Sequence, residues 1–354
     1  MSFAVPRVAA PEHSSFASMS SDAPAPVRWG ILATGKISTS FVRDLALTPG
    51  AELAAVGSRR RESAEAFAAE HGVARAYGSY AELVEDPEVD VVYIGTPHTL
   101  HLDDARLAFE AGKHVLCEKP LAMNLAEAEE MVALARQHDR FLMEAMWTAT
   151  HPVVRELVDG FAAGRFGEPR QVHADLGFVV DESASARMVD PELGAGALLD
   201  MGIYPLTLAH LVLGPAEELT AVASLSPEGY DTDVAIAGRY AGGAVAALTC
   251  SMTSWSPRTA SIATTTGRLD LPSGFHHPAY ALWTPQEGDP VRLEGAEPVI
   301  GRGYGNEAAE VQRCLRAGLR ESPLVPHEQT LTLIRQLDEL RGHLGVRYPS
   351  DRAG

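Results

Sequence analysis

The segment Cys117-Glu118-Lys119-Pro120-Leu121 closes the apolar run His114-Val115-Leu116 with a carboxylate, an ammonium and a proline. A short buried strand with that ending carries Lys119 to the carboxyl edge of a sheet, and in open α/β folds ligands sit outside that edge. An ammonium there is costly unless it is paired or aimed at a ligand. Taken alone, the same lysine also reads as a surface residue after an edge strand. His98 and His101 follow in Gly95-Thr96-Pro97-His98-Thr99-Leu100-His101, where i, i+3 spacing at a helix start sets both on one face. They read either as surface residues of a first helical turn or as hydrogen-bond groups for a substrate. A metal centre needs at least one more ligand and no HExxH-type partner is near, so no metal is expected. Farther on, a glycine-rich lead-in to a helix, Gly194-Ala195-Gly196-Ala197-Leu198-Leu199-Asp200-Met201-Gly202-Ile203-Tyr204-Pro205, spaces Asp200 and Tyr204 at i, i+4, facing one cleft. A phenol carries protons well if a nearby ammonium lowers its pKa from about 10, although a buried tyrosine also serves simply as core.

A second group of residues points to a nucleotide. Gly30-Ile31-Leu32-Ala33-Thr34-Gly35-Lys36-Ile37-Ser38 follows the first strand and aligns to GxGxxG as AxGxxS. Gly35 is the middle glycine, which lets backbone approach a pyrophosphate, while Ala33 and Ser38 are small enough for the tight turn and the close packing. A helix that begins at once offers unpaired N–H groups to the phosphate. The end of the second strand separates NAD from NADP. An acid there binds the ribose hydroxyls, but this chain has Ser58-Arg59-Arg60-Arg61. Guanidinium groups bind a 2′-phosphate through charge-assisted forked hydrogen bonds. An arginine run is poorly placed for the dipole of a helix start, which favours a ligand over a solvated surface. NADP is the expected cofactor, with Arg59 its leading contact.

The elements that must position these groups alternate between strand and helix. Strands are expected at Val27–Leu32, Glu52–Gly57, Val89–Gly95, His114–Cys117 and Phe141–Met143. Helices are expected between them, at Ile37–Leu47, Glu62–His71, Leu100–Ala111 and Leu125–His138. The unbroken run VDVVYIG suits a strand buried on both faces, and the alternation makes a parallel, doubly wound Rossmann sheet over residues 27–146. Residues 147–354 read as a second α/β domain for substrate binding and oligomerisation. After a helix near 151–163, strand-like stretches come at Arg170–Val180, Glu218–Leu225, Val234–Tyr240, Ala244–Met252 and Ala260–Leu271, with few helices between them. That order gives an open, mainly antiparallel sheet, capped by a C-terminal helix at about 327–345. Residues 1–26 mix Ala, Ser and Pro without periodicity and read as a disordered tail.

Composition bounds the partners. A net charge of −18 argues against nucleic acid and anionic membranes. No uninterrupted apolar run reaches the length of a membrane span. Cys117, Cys250 and Cys314 are odd in number and far apart, which fits a reducing, cytoplasmic setting.

With these residues assembled, the chain after residue 27 resembles the Gfo/Idh/MocA oxidoreductase family. The segments that carry the resemblance are WGILATGKIS, IGTPHTLH, GKHVLCEKPLAMN, FLMEAMWT and GAGALLDMGIYP, in that order. Many members place a histidine where Tyr204 stands. The tyrosine, with TPHxxH and MEAMWT, looks like the dimeric dihydrodiol dehydrogenase branch, which includes NADP-linked xylose dehydrogenases. The resemblance implies a homodimer acting by hydride transfer on a hydroxyl/carbonyl of a sugar or cyclic trans-diol. It implies Tyr204 as general acid/base and Lys119 as the group that favours its phenolate and contacts nicotinamide and substrate. Asp200 would position the substrate or Lys119. His98, His101, Trp147 and Phe178 would line the substrate pocket. The cofactor set comprises Ala33, Thr34, Gly35, Lys36 and Ile37, then Ser58 and Arg59. Thr96, Pro97 and His98 join it, with Glu118 and Lys119. The stretch Ala149-Thr150-His151 departs from relatives, which often have Arg-Phe-aromatic beside the pocket. A non-catalytic dinucleotide-binding regulator on the same fold is the alternative function; it would not need the Lys119/Tyr204 pair.

Overall fold

The computed structural model describes residues 25–181 and 186–352, so nearly all of the expected tail (1–26) lies outside the described residues. The first half is β1 (Val27–Leu32), α1 (Lys36–Leu45), β2 (Ala51–Gly57), α2 (Arg61–His71), β3 (Arg75–Tyr77), α3 (Tyr80–Val84), β4 (Val91–Ile94), α4 (His101–Glu110), β5 (His114–Cys117), α5 (Leu125–Gln137) and β6 (Leu142–Glu144). Its six strands pair in parallel in the order β3-β2-β1-β4-β5-β6. Every residue of β4 is buried, as a central strand covered by helices on both faces requires. Helix starts are chemically marked. Asn124 caps α5 by accepting from the Glu127 amide, and Glu127 in turn accepts from the Met123 amide just ahead of the cap, which fixes where the helix begins.

The second half runs α6 (Trp147–Thr150), α7 (Pro152–Ala162), β7 (Pro169–Gly177), α8 (Ile203–Leu213), β8 (Ala216–Leu225), β9 (Asp231–Tyr240), β10 (Val245–Ser251), β11 (Ala260–Thr264), β12 (Gly267–Leu271), β13 (Ala281–Pro285), β14 (Val291–Leu293), α9 (Tyr304–Arg316) and α10 (His327–Leu344). The eight-stranded sheet has the order β14-β13-β12-β11-β7-β10-β9-β8. All its pairs are antiparallel except β7 with β10. Burial alternates along β9 and β10. One face turns Val234, Ile236, Ala246, Leu248 and Cys250 toward α8, and the other leaves Ala235, Ala237, Val245, Ala247 and Thr249 open. Pro191–Leu213 is long and apolar enough to cross a membrane, but 78% of its most apolar window is buried inside the protein, as in a core helix.

The expected strand Ala260–Leu271 is instead the hairpin β11–β12. Thr264 Oγ1 accepts from the Thr266 and Gly267 amides and turns the chain where the β-branched residues of Thr264-Thr265-Thr266 read as a continuing strand. The chain then returns to the first domain. Helix α9 packs on α1, and α10 packs on α5 as well as β8. Asp338 Oδ2 accepts from the Leu125 amide at 2.7 Å, and Glu144 Oε2 from the Thr330 hydroxyl at 2.9 Å. These ties set the relation of the two sheets, and the cleft between them holds the candidate site.

Candidate active site

At the carboxyl end of β1 the chain makes the turn that a nucleotide-binding loop needs. Ala33 takes φ +85°, a left-handed backbone that costs any residue but glycine. Gly35 is the N-cap of α1 and has no side chain to satisfy the first N–H groups of that helix, the arrangement that receives a phosphate. A Cβ on Gly35 would meet nothing within 4 Å, so the backbone there faces open space. Ser38, the third fingerprint position, is buried, and its hydroxyl lies 2.6 Å from where a Gly95 Cβ would stand. Helix and strand thus touch as closely as the fingerprint demands. These features fit a dinucleotide, with Gly35, Lys36, Ile37, Thr96, Pro97 and His98 on the cavity wall. Ser58 and Arg59 stand apart at the end of β2, outside that wall. Arg61 is occupied by Glu82 (3.1 Å) and Arg60 by the Ser63 hydroxyl, whereas Arg59 lies within electrostatic reach of Tyr80 and Asp104.

Lys119 leaves the end of β5 and crosses to the second domain. Its Nζ donates to the Asp200 carbonyl at 2.8 Å and to Asp200 Oδ1 at 3.2 Å. The same Oδ1 accepts from Arg187 Nη2 at 2.9 Å. Burial opposes the charge on Asp200, but Lys119 and then Arg187 hold its carboxyl far below the ordinary carboxylate range. Asp200 is therefore a fixed anion. His98 Nε2 lies 3.0 Å from Arg187 Nη1, which only donates, and 3.3 Å from the Gly194 carbonyl, which only accepts, so the tautomer of the ring decides which of the two contacts is the hydrogen bond. Burial, then the Arg187 cation, keeps the His98 imidazole neutral. Gly194 (φ +82°) permits this contact, since a Cβ there would come within 2.5 Å of the His98 ring.

Asp200 and Tyr204 do face one cleft, but by a wider turn than a regular helix. Leu198–Gly202 is a π-turn that runs into α8, and Asp231 Oδ2 anchors its start by accepting from the Leu198 amide at 2.6 Å. Lys119 Nζ lies 4.7 Å from the Tyr204 ring centroid, over the face. The Tyr204 hydroxyl accepts from Trp147 Nε1 at 3.1 Å. Burial first, then the charges of Glu118 and Asp200, push this phenol well above its usual pKa. Lys119 lies over this ring with its charge already paired to Asp200. Tyr204 is a protonated phenol. Glu118 accepts from the Tyr93 hydroxyl at 2.6 Å, and its own carboxyl is raised by burial.

Trp147 is sandwiched between the Tyr304 ring (4.2 Å, 5° between planes) and the His277 ring (4.9 Å). On one side lies a cavity of about 520 Å³ with the Gly35 loop, Glu118 and His98. On the other lies one of about 540 Å³ with Phe178. Lys119, Trp147, Asp200, Tyr204 and Tyr304 border both. His101 does not belong here. Its ring is fully buried with Nδ1 3.1 Å from the Pro120 carbonyl and Nε2 3.0 Å from that of Thr96. Burial takes its pKa down to about 4, and it braces the Lys119 loop rather than lining the substrate pocket. The sequence reading missed Arg187, His276, His277, Arg258, Arg302 and Tyr304, which lie on irregular segments or at the very start of α9. The adjacent His276-His277 pair and the Gly303-Tyr304-Gly305 sequence were the available signals.

Comparison with known proteins agrees with this geometry. Residues 27–146 match the model of the GFO/IDH/MocA oxidoreductase family, NAD-binding Rossmann fold, and residues 153–270 match the GFO/IDH/MocA C-terminal domain. A mouse (Mus musculus) trans-1,2-dihydrobenzene-1,2-diol dehydrogenase is 37% identical over 340 residues, covering 92% of this chain and 99% of that protein. The crystal structure of the 3-ketoreductase KijD10 from Actinomadura kijaniata, in complex with NADP and TDP-benzene, superposes with a TM-score of 0.80 at 27% identity. That match covers 90% of this chain and 98% of the other. An aldose-aldose oxidoreductase from Caulobacter crescentus shares the fold, with a TM-score of 0.82 at 23% identity over 90% of this chain and 98% of that one. The chain belongs to the Gfo/Idh/MocA family of NAD(P)-binding oxidoreductases.

Proposed function

We propose that this protein is an NADP(H)-dependent oxidoreductase that interconverts a hydroxyl and a carbonyl on a sugar or cyclic trans-diol. One observation carries the reading: the Tyr204 phenol and the Lys119–Asp200 ion pair stand together between the cavity of the nucleotide loop and a second, substrate-sized cavity. Bound nicotinamide supplies or accepts the hydride. The Tyr204 hydroxyl gives its proton to the carbonyl oxygen in reduction and takes it back in oxidation. Trp147 Nε1 fixes that hydroxyl. Lys119, held by Asp200, orients the substrate oxygen, and His98 offers a neutral ring to the nicotinamide side. NADP is favoured over NAD by Arg59 and by the lack of an acid in Ser58-Arg59-Arg60-Arg61, and the relative KijD10 was crystallised with NADP.

A regulator without catalysis would give no reason to bury Lys119, Arg187 and Asp200 around a phenol. The protein works as a homodimer through the open face of its eight-stranded sheet, whose small and apolar residues need cover. Its three cysteines, all free and buried, suit the cytoplasm. The test is NADP⁺ and NAD⁺ reduction with a panel of aldoses, inositols and trans-dihydrodiols. NADP⁺-linked turnover of a member of the panel is expected. Tight NADP⁺ binding with no turnover across it would favour the regulator.

A further inference from the structure

The cavity on the Phe178 side is built for more than a neutral polyol. Of the cations around the reacting pair, Lys119 and Arg187 are both paired to Asp200. Arg258 and Arg302 line the same cavity with His276, His277 and Ser273, and among the described residues no carboxylate pairs with either guanidinium. Arg258 Nε is buried without a hydrogen-bond partner. The residue is held in place by its backbone, not by its charge. It takes φ +57°, its amide donates to Asp175 Oδ2 at 2.8 Å, and its carbonyl accepts from the Gly274 and Phe275 amides. The Trp255 ring supports the guanidinium at 4.4 Å. Arg302 is exposed at the mouth, and its amide is fixed by Asp44 at 2.7 Å. Both residues share the cavity wall with the His277 ring, whose pKa is lowered by burial first and then by the Arg302 and Arg258 charges.

A strained backbone that presents a half-buried, unpaired cation calls for a ligand. Hydroxyls alone are served by the neutral His276, His277 and Ser273 and do not require two guanidiniums. In a chain of net charge −18, a positive cavity also selects and steers anions. We infer that the physiological substrate carries an oxyanion, a carboxylate or a phosphate monoester, which Arg258 and Arg302 bind while Tyr204 faces the reacting carbon. This rests on the redox reading of Tyr204 and Lys119.

The test compares kcat/KM for D-glucose, D-glucuronate and D-glucose 6-phosphate in the wild type, Arg258→Gln and Arg302→Gln. One anionic sugar is expected to exceed glucose by about tenfold or more, and which one tells carboxylate from phosphate. Losing a charge-assisted contact should cut that preference about ten- to a hundredfold in each variant, mainly through KM. The ratio is unaffected by a variant that merely folds less well. If glucose is used as well as both anions, or neither variant changes the ratio, the inference is overturned while the redox reading stands. If wild-type enzyme that binds NADP⁺ oxidises none of the three but turns over a neutral aldose, inositol or trans-dihydrodiol, the inference is overturned and the redox reading stands; no turnover of any of these compounds overturns the redox reading as well.

Discussion

Asp200→Asn isolates the electrostatics of the proton carrier. The amide keeps the shape of the side chain, and Lys119 remains anchored on the Asp200 main-chain carbonyl at 2.8 Å. The charge that neutralises Lys119 is gone, and so is an anion that raises the Tyr204 pKa. An ammonium 4.7 Å from the ring centroid then acts on the phenolate without compensation. At an effective dielectric of about 20 that attraction amounts to about 3.5 kcal/mol, or roughly 2.5 pH units. Water entering the cleft screens part of it, so a shift of about one to two units is expected. In carbonyl reduction the phenol must be protonated, and the rate falls as pH rises through its pKa. The kcat–pH profile of the wild type with NADPH should stay flat on the alkaline side up to about pH 10. In Asp200→Asn the alkaline fall should move down into the accessible range. An unmoved limb in the variant would refute the claim that Asp200, by neutralising Lys119, keeps Tyr204 an acid.

Arg59→Ala should weaken NADP⁺ binding by about 1.5–3 kcal/mol and leave NAD⁺ nearly unchanged; fluorescence titration of both nucleotides checks this. Ala247→Arg sets a guanidinium in the middle of the open sheet face, and sedimentation equilibrium should find a dimer in the wild type and a monomer in the variant. Glu144 is a buried carboxyl that burial raises from 4.5 to about 7. The folded state therefore prefers its proton, and the associated stability is complete below about pH 4.5 and lost as pH rises through about 7. Glu144→Gln should raise Tm at pH 8 and flatten the fall between pH 4.5 and 7, by up to about 3 kcal/mol. The raised Asp104 and Asp231 carboxyls, each at about 6, keep a residual slope of the same sign.

Much of the fold was legible because its signals are local. The apolar runs Val27–Leu32 and His114–Cys117 coincide with β1 and β5 to the residue. The strand-to-helix rhythm dictates a parallel sheet, and the open mixed sheet follows from strands without intervening helices. What stayed hidden depends on long-range packing. The three-residue β3 and β14 are too short to show a period, and α9 is revealed chiefly by its docking on α1. At the site, the pairing of Lys119 with Asp200 joins residues from two domains, so only the folded chain shows that the ammonium is already neutralised. His98 and His101 look alike in sequence. The folded chain separates them by partner: His98 meets Arg187 at the cavity wall, while His101 is enclosed by main-chain carbonyls. The Arg258 and Arg302 wall comes from two turns with no recognisable motif.

The central claim is that the Tyr204 hydroxyl carries the proton, and Tyr204→Phe tests it most directly. Phenylalanine keeps the ring beneath Lys119 and removes only the hydroxyl held by Trp147. NADPH affinity and kcat are to be measured on the same preparation. Affinity should remain within about twofold, while kcat falls by about 10²–10⁴. Turnover near that of the wild type, with NADPH bound normally, would contradict the claim and move proton transfer to another group of the cleft, with His98 first.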